Sequence, residues 1–128
     1  MASLIYLDTH VTAWLFAGHT ELIPESVRAL LDQHDLVISP AVELELQYLY
    51  EIRRTAEPGK TVVEALRREV GLVVCDLPFL DVVEMALDQS WTRDPFDRLI
   101  VSQAILRGAP LITRDGTIRE QFQHAVWG

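Results

Sequence analysis

Cysteine is nearly missing from this chain of 128 residues; Cys75 stands alone, with no partner for a disulfide. That excludes the disulfide framework on which small secreted domains rely, and any zinc site built on paired cysteines. Long apolar runs are missing as well. The amino-terminal stretch Leu4–Leu7 is too short for a signal peptide or a membrane span, so the expected location is the cytoplasm, with no membrane partner. Basic residues are scarce, eleven against nineteen acidic ones, for a net charge of −8. Binding to nucleic acid is dominated by phosphate neutralisation, so this balance argues against a polyanionic partner unless acids are gathered in one place and offset by cations. There is no phosphate-binding glycine loop and no serine nucleophile elbow. The four histidines, His10, His19, His34 and His124, are scattered without zinc spacing and are assigned no metal role. Internal repeats and low-complexity tracts are absent too.

What is present is an ordinary globular composition, 49% hydrophobic and 23% charged, expected to form a single domain over residues 1–128. Leu4–Leu7 is a continuous apolar run of the kind a buried parallel strand shows, ending at Asp8-Thr9-His10. Helices are expected over Val11–Ala17 and from about Pro24, then a strand at Leu36–Ile38. Ser39-Pro40 opens a long helix, Ala41 to Arg54. The stretch Arg53–Lys60 reads as a surface loop, followed by a helix over Val62–Val70, a strand over Gly71–Cys75 and an amphipathic helix after Pro78. A central helix runs from Asp94 to Leu106 and closes at Gly108, and Pro110–Thr113 is a further strand. The chain closes with a short helix, Thr117–Gln123, and an edge strand at Ala125–Trp127. Strands separated by helices predict an α/β fold, a three-layer α/β/α domain on a mostly parallel sheet of four or five strands. In such sheets ligands bind beyond the carboxyl ends of the strands.

Several acids are directed to that edge. Asp8 and Asp115 follow strands directly. Asp94 and Asp97 open the central helix, where Asp94 is also a good N-cap, Pro95 suits the first position and Asp97 faces the positive helix end. In the helix after Ser39, Glu45 shares a face with Val42, Leu49 and Ile52, whereas Glu43 lies on the polar stripe with Gln47, Glu51 and Arg54. A glutamate on an apolar face must be paired, protonated or bound to something, because a lone buried charge costs several kcal/mol. Clustered carboxylates are tolerable if cations sit among them, and such hard oxygen donors suit Mg²⁺ or Mn²⁺. Divalent ions held beside a phosphodiester point to metal-assisted hydrolysis. Arg53, Arg54, Lys60, Arg67 and Arg68 are candidates for a phosphate-binding rim, although the last two also suit a helix end.

In order and spacing, Leu7-Asp8-Thr9-His10, Ser39 with Glu45, Arg93-Asp94-Pro95-Phe96-Asp97-Arg98 and Thr113-Arg114-Asp115 resemble a PIN domain, and more closely a ribonuclease toxin of VapC type from bacterial toxin–antitoxin pairs. The resemblance implies a metal-dependent endoribonuclease with Asp8, Glu45, Asp97 and Asp115 as metal-binding catalytic acids, Asp94 a fifth contributor, and Thr9 orienting a ligand or water. It implies Mg²⁺ or Mn²⁺ as cofactor, RNA as substrate, a VapB-like antitoxin as partner and a homodimer as assembly. The antitoxin is expected to place an arginine among the acids, with Trp14, Leu15 and Phe16 contributing to its groove. Two alternatives stay open: a PIN-like module that binds proteins without catalysis, and a haloacid-dehalogenase-like phosphatase, which would want a second aspartate where His10 stands.

Overall fold

The computed structural model describes residues 3–128; Met1 and Ala2 of the expected 1–128 domain lie outside them. Five parallel strands form one sheet in the order β3-β2-β1-β4-β5: β1 (Leu4–Leu7), β2 (Asp35–Ile38), β3 (Val73–Val74), β4 (Leu111–Ile112) and β5 (Ala125–Val126). Tyr6 sits opposite Val37 of β2 on one side and Leu111 of β4 on the other, so β1 is the centre of the sheet. Its residues Ile5, Tyr6 and Leu7 are completely buried, which explains an apolar run with no polar alternation. The expected edge strand is present and parallel.

Among the described residues, seven α-helices connect and cover the strands: α1 (Thr9–Ala17), α2 (Glu25–Gln33), α3 (Pro40–Glu51), α4 (Gly59–Val70), α5 (Phe79–Leu87), α6 (Pro95–Arg107) and α7 (Gly116–Gln121). The chain moves outward from β1 to β2 to β3, then crosses back to β4 and β5. Right-handed crossovers therefore assign the helices after β1 and β2 to one face of the sheet and those after β3 to the other. The reversal of direction falls between β1 and β4, and a crevice opens at the carboxyl ends of that pair.

Several helix boundaries differ from expectation, each for a local reason. Helix α1 starts at Thr9, because the Asp8 side chain caps it and accepts a hydrogen bond from the Thr9 N–H at 2.8 Å. Helix α3 stops at Glu51, short of Arg54, as Arg53 turns into the left-handed region at φ 63°. Helix α4 begins at Gly59, three residues before Val62, since the backbone of Gly59 packs onto α3. Its N–H donates to Gln47 Oε1 at 3.1 Å, and a Cβ there would lie 2.5 Å from the Glu43 carbonyl oxygen. The expected Gly71–Cys75 strand is confined to Val73–Val74, and the last helix occupies Gly116–Gln121. Helix α6 is central as expected, with Ile100, Val101, Ser102, Gln103 and Ala104 all buried.

Candidate active site

Each acid at the crevice is placed by an element with its own reason to be there. Asp8 is the residue after β1, and its N–H continues the ladder by donating to the Ile112 carbonyl at 3.0 Å. It is 7% exposed, and both carboxylate oxygens are held: Oδ1 accepts from the Thr9 N–H, and Oδ2 from the Thr113 hydroxyl at 2.5 Å. Thr113 lies just beyond β4, so the bond ties together the two strands that flank the crevice. Thr9, also buried, donates its hydroxyl to Glu45 Oε1 at 2.5 Å and thereby fixes α3 against the start of α1. Asp94 caps α6, with Oδ1 accepting from the N–H groups of Phe96 at 2.8 Å and Asp97 at 3.2 Å. Asp115 caps α7 in the same way, accepting from the Ile118 N–H at 2.9 Å. Asp97, half-buried in the first turn of α6, accepts no side-chain hydrogen bond among the described residues.

Asp8, Glu45, Asp94, Asp97 and Asp115 line a single cavity of about 390 Å³, together with His10, Trp14 and Arg114. The acids named from the sequence are thus brought together, and Thr9 stands behind them. Glu43 is not among the lining residues, in accord with its place on the polar stripe. The helical face assigned to Glu45 needs one correction: Ile52 is 45% exposed, because α3 ends before it can turn that residue inward.

The electrostatics follow from burial and crowding. Burial pushes the carboxyl of Asp97 up to about 7, with further upward push from the charges of Asp94, Asp8, Asp115 and Glu45. Asp8 is raised by burial against the opposing pull of its hydrogen bonds from Thr113 and Thr9. Glu45 is raised by burial too, with its Thr9 hydrogen bond opposing. Among the described residues, no three acid, histidine or cysteine side chains close around one point as a finished coordination shell; the carboxylates ring the cavity instead. The donors still suit a hard divalent cation. All are oxygens; among the described residues Glu45, Asp94 and Asp115 each keep a second carboxylate oxygen without a protein partner, and positive charge is what the raised Asp97 lacks.

Three lining residues were not anticipated as site residues. His10 has no zinc spacing and Arg114 no pattern beyond its place between Thr113 and Asp115, and the sequence points Trp14 only to a groove. For His10 and Arg114 the signal in the sequence is position: Arg114 lies just beyond the end of β4, and His10 is in the first turn of α1, beside the Asp8 cap. Thr113 is a further functional residue without a local signal, since its hydrogen bond reaches Asp8 across 105 positions. The expected phosphate rim is absent from this cavity: Arg53, Arg54, Lys60, Arg67 and Arg68 do not line it, and its basic side chain is Arg114. Arg54 instead lines a neighbouring apolar groove of about 450 Å³, walled by Trp14, Phe16, Leu46, Leu49 and Val62. Of the three residues named for an antitoxin groove, Trp14 and Phe16 line this one, whereas the position of Leu15 on α1 turns it toward Leu31 and Leu36.

Comparison with known proteins bears on the family and the fold. The chain is 31% identical over 117 residues to Ribonuclease VapC22 of Mycobacterium tuberculosis, covering 90% of this chain and 89% of that protein. Its fold is similar to the crystal structure of VapBC2 from Rickettsia felis bound to a DNA fragment from their promoter, with a TM-score of 0.68 at 19% identity over 98% of this chain and 99% of that one. A toxin–antitoxin complex from Klebsiella pneumoniae is similar at a TM-score of 0.66 and 19% identity, with 95% of each chain covered. The PIN domain family model matches residues 5–121, which sets the phosphatase alternative aside. With the family model spanning nearly the whole chain and a curated relative aligned along the same length, the chain belongs to the PIN domain family.

Proposed function

We propose that this chain is a Mg²⁺- or Mn²⁺-dependent endoribonuclease, the toxin of a VapBC-type pair acting in the cytoplasm. The observation that carries the reading is the gathering of Asp8, Glu45, Asp94, Asp97 and Asp115 in one cavity where the sheet reverses direction. Its likeness to a ribonuclease of VapC type over 90% of its length supports the same conclusion. No described helix is long and apolar enough to cross a membrane.

Asp8, Glu45, Asp97 and Asp115, with Asp94 beside them, would hold the metal. When bound, it supplies an activated water and neutralises charge on a phosphodiester oxygen. The chain's own residues do the positioning. Thr113 and the Thr9 N–H fix the Asp8 carboxylate from both sides, and the Thr9 hydroxyl fixes Glu45. Such supporting contacts hold ligands in their working orientation. Burial and the neighbouring carboxylates raise Asp97 to about 7, and a bound cation would favour its charged form.

The proposed partner is a VapB-like antitoxin whose folding segment lies along the 450 Å³ groove and sends an arginine among the acids, blocking the site without a change of fold. The proposed assembly is a homodimer, for which Phe79, Leu80 and Leu87 on α5 and Leu44 and Tyr48 on α3 offer exposed apolar surface. The deciding experiment is incubation of the purified chain with RNA in Mg²⁺ or Mn²⁺. Cleavage by the parent that is lost in Asp8→Asn and Asp97→Asn is the expected result, and equal cleavage by both variants overturns it. Expression without its antitoxin should also harm the host.

A further inference from the structure

One wall of the acidic cavity is not acidic. His10 and Trp14 on α1 and Arg114 after β4 line it, with Trp14 between the other two: the Arg114 guanidinium lies over its ring and the His10 ring is tilted against it at 50°. The Arg114 guanidinium carbon lies 5.9 Å from the centre of the Trp14 ring, within the range of a cation–π contact. The His10 ring is 6.2 Å from Trp14, and Trp127 of the carboxyl-terminal segment backs it at 6.0 Å. Trp14 is half-buried, with one side packed on the core and the other open to the cavity, while His10 and Arg114 are exposed. Arg114 borders five carboxylates, yet among the described residues it makes no ion pair with any of them. It is held against the aromatic ring and remains free to leave it.

We infer that Trp14, His10 and Arg114 form a subsite for one unpaired nucleotide next to the scissile bond, with Trp14 stacking the base and Arg114 taking the phosphate. This rests on the nuclease reading above and adds to it the residues that choose the substrate. The place over Trp14 now taken by the guanidinium is a flat, apolar, electron-rich face, which any nucleobase fits. A base entering there displaces Arg114, which then finds a phosphate oxygen in a cavity otherwise hostile to anions. An acidic chain thereby obtains one cationic contact where the substrate needs it. A duplex keeps its bases stacked on one another and cannot use the platform, so the subsite selects single-stranded segments.

The test measures binding and cleavage separately. Binding of a labelled, unstructured RNA oligonucleotide to the Asp97→Asn chain in Mg²⁺ is followed by fluorescence anisotropy. Trp14→Leu is expected to weaken it roughly ten- to a hundred-fold, the range of one base–aromatic stack, while Trp14→Phe stays near the starting value. Arg114→Ala should weaken binding and flatten its salt dependence. An oligonucleotide series with an abasic site moved along the chain should lose affinity at one position, which decides the matter even if Trp14→Leu fails to fold. In the cleaving parent, Trp14→Leu should raise KM far more than it lowers kcat. Unchanged affinity in Arg114→Ala, together with no sensitive abasic position, overturns the subsite while the nuclease stands if the parent cleaves. A parent that binds RNA with this base dependence but cleaves nothing overturns the nuclease reading and leaves the subsite intact.

Discussion

The acidic cavity and the apolar groove beside it share Trp14 and His10 and draw on the same two helices, yet they are opposite environments. On α3, Glu45 faces the carboxylates while Leu46 and Leu49 line the groove; on α1, His10 and Trp14 border both and Phe16 only the groove. One turn of helix separates a site that wants cations from one that wants apolar surface. Neighbouring residues on one helix can therefore divide two tasks, chemistry and partner binding, and substitutions should separate them.

The largest separation is expected on the acidic side. Asp8→Asn and Asp97→Asn should each lower RNA cleavage by about 100-fold or more, while the proposed antitoxin loses only the part of its affinity that its arginine contributes and keeps its contacts in the groove, as measured in parallel cleavage and pull-down assays. The pair Glu45→Gln and Glu43→Gln sharpens the point within one helix: the first should abolish cleavage, the second leave it near the parent rate. In the groove the expectation is reversed. Leu49→Ala should weaken binding of the antitoxin segment by roughly ten-fold through lost apolar contact, with the cleavage rate unchanged; calorimetry and an activity assay on the same preparation check both halves.

A smaller effect concerns stability and pH. The ordinary aspartate value is 3.8, and Asp97 stands at about 7 in the folded chain. Between these values the folded state keeps a proton that the unfolded state has released. The stability it confers is full below 3.8 and declines until the pH passes 7, and the raised Asp8 and Glu45 act in the same direction. The metal-free chain should therefore melt at a higher temperature near about pH 5 than near about pH 8, and Mn²⁺ should restore the difference at the higher pH. A flat profile would mean that neither burial nor the neighbouring charges raise these carboxyl groups. Smallest of all, Asp94→Ala removes the cap of α6 and should cost about 1 kcal/mol in chemical denaturation, whatever it does to metal binding.

Much of this was legible in the sequence, and what was not shares a physical cause. The buried run Leu4–Leu7, the Asp94-Pro95 helix start and the five strands follow from local patterns, and the sheet rule then carries Asp8 and Asp115 to one edge. Glu45 was found because an acid on an apolar face demands a partner. The partner itself was beyond reach: Thr9 and Glu45 are 36 positions apart, and Thr113 and Asp8 are 105, so no periodicity records their hydrogen bonds. The misplaced start of α4 has the same origin, since Gly59 is helical because of what it packs against on α3. The pairing of Arg114 with Trp14 has no local signal either, because it lies in a ring contact across 100 positions of the chain.

The contact at Gly59 reaches further than its distance from the cavity suggests. A methyl group there would press on the Glu43 carbonyl and the Gln47 backbone nitrogen, and Glu45 lies midway between those residues on the same turn of α3. Two helices forced apart at that seam would carry the Glu45 carboxylate away from the Thr9 hydroxyl. An alanine at position 59 would then surface in a screen as a loss of toxicity, and a map drawn from such a screen would mark as catalytic a glycine that never meets the substrate.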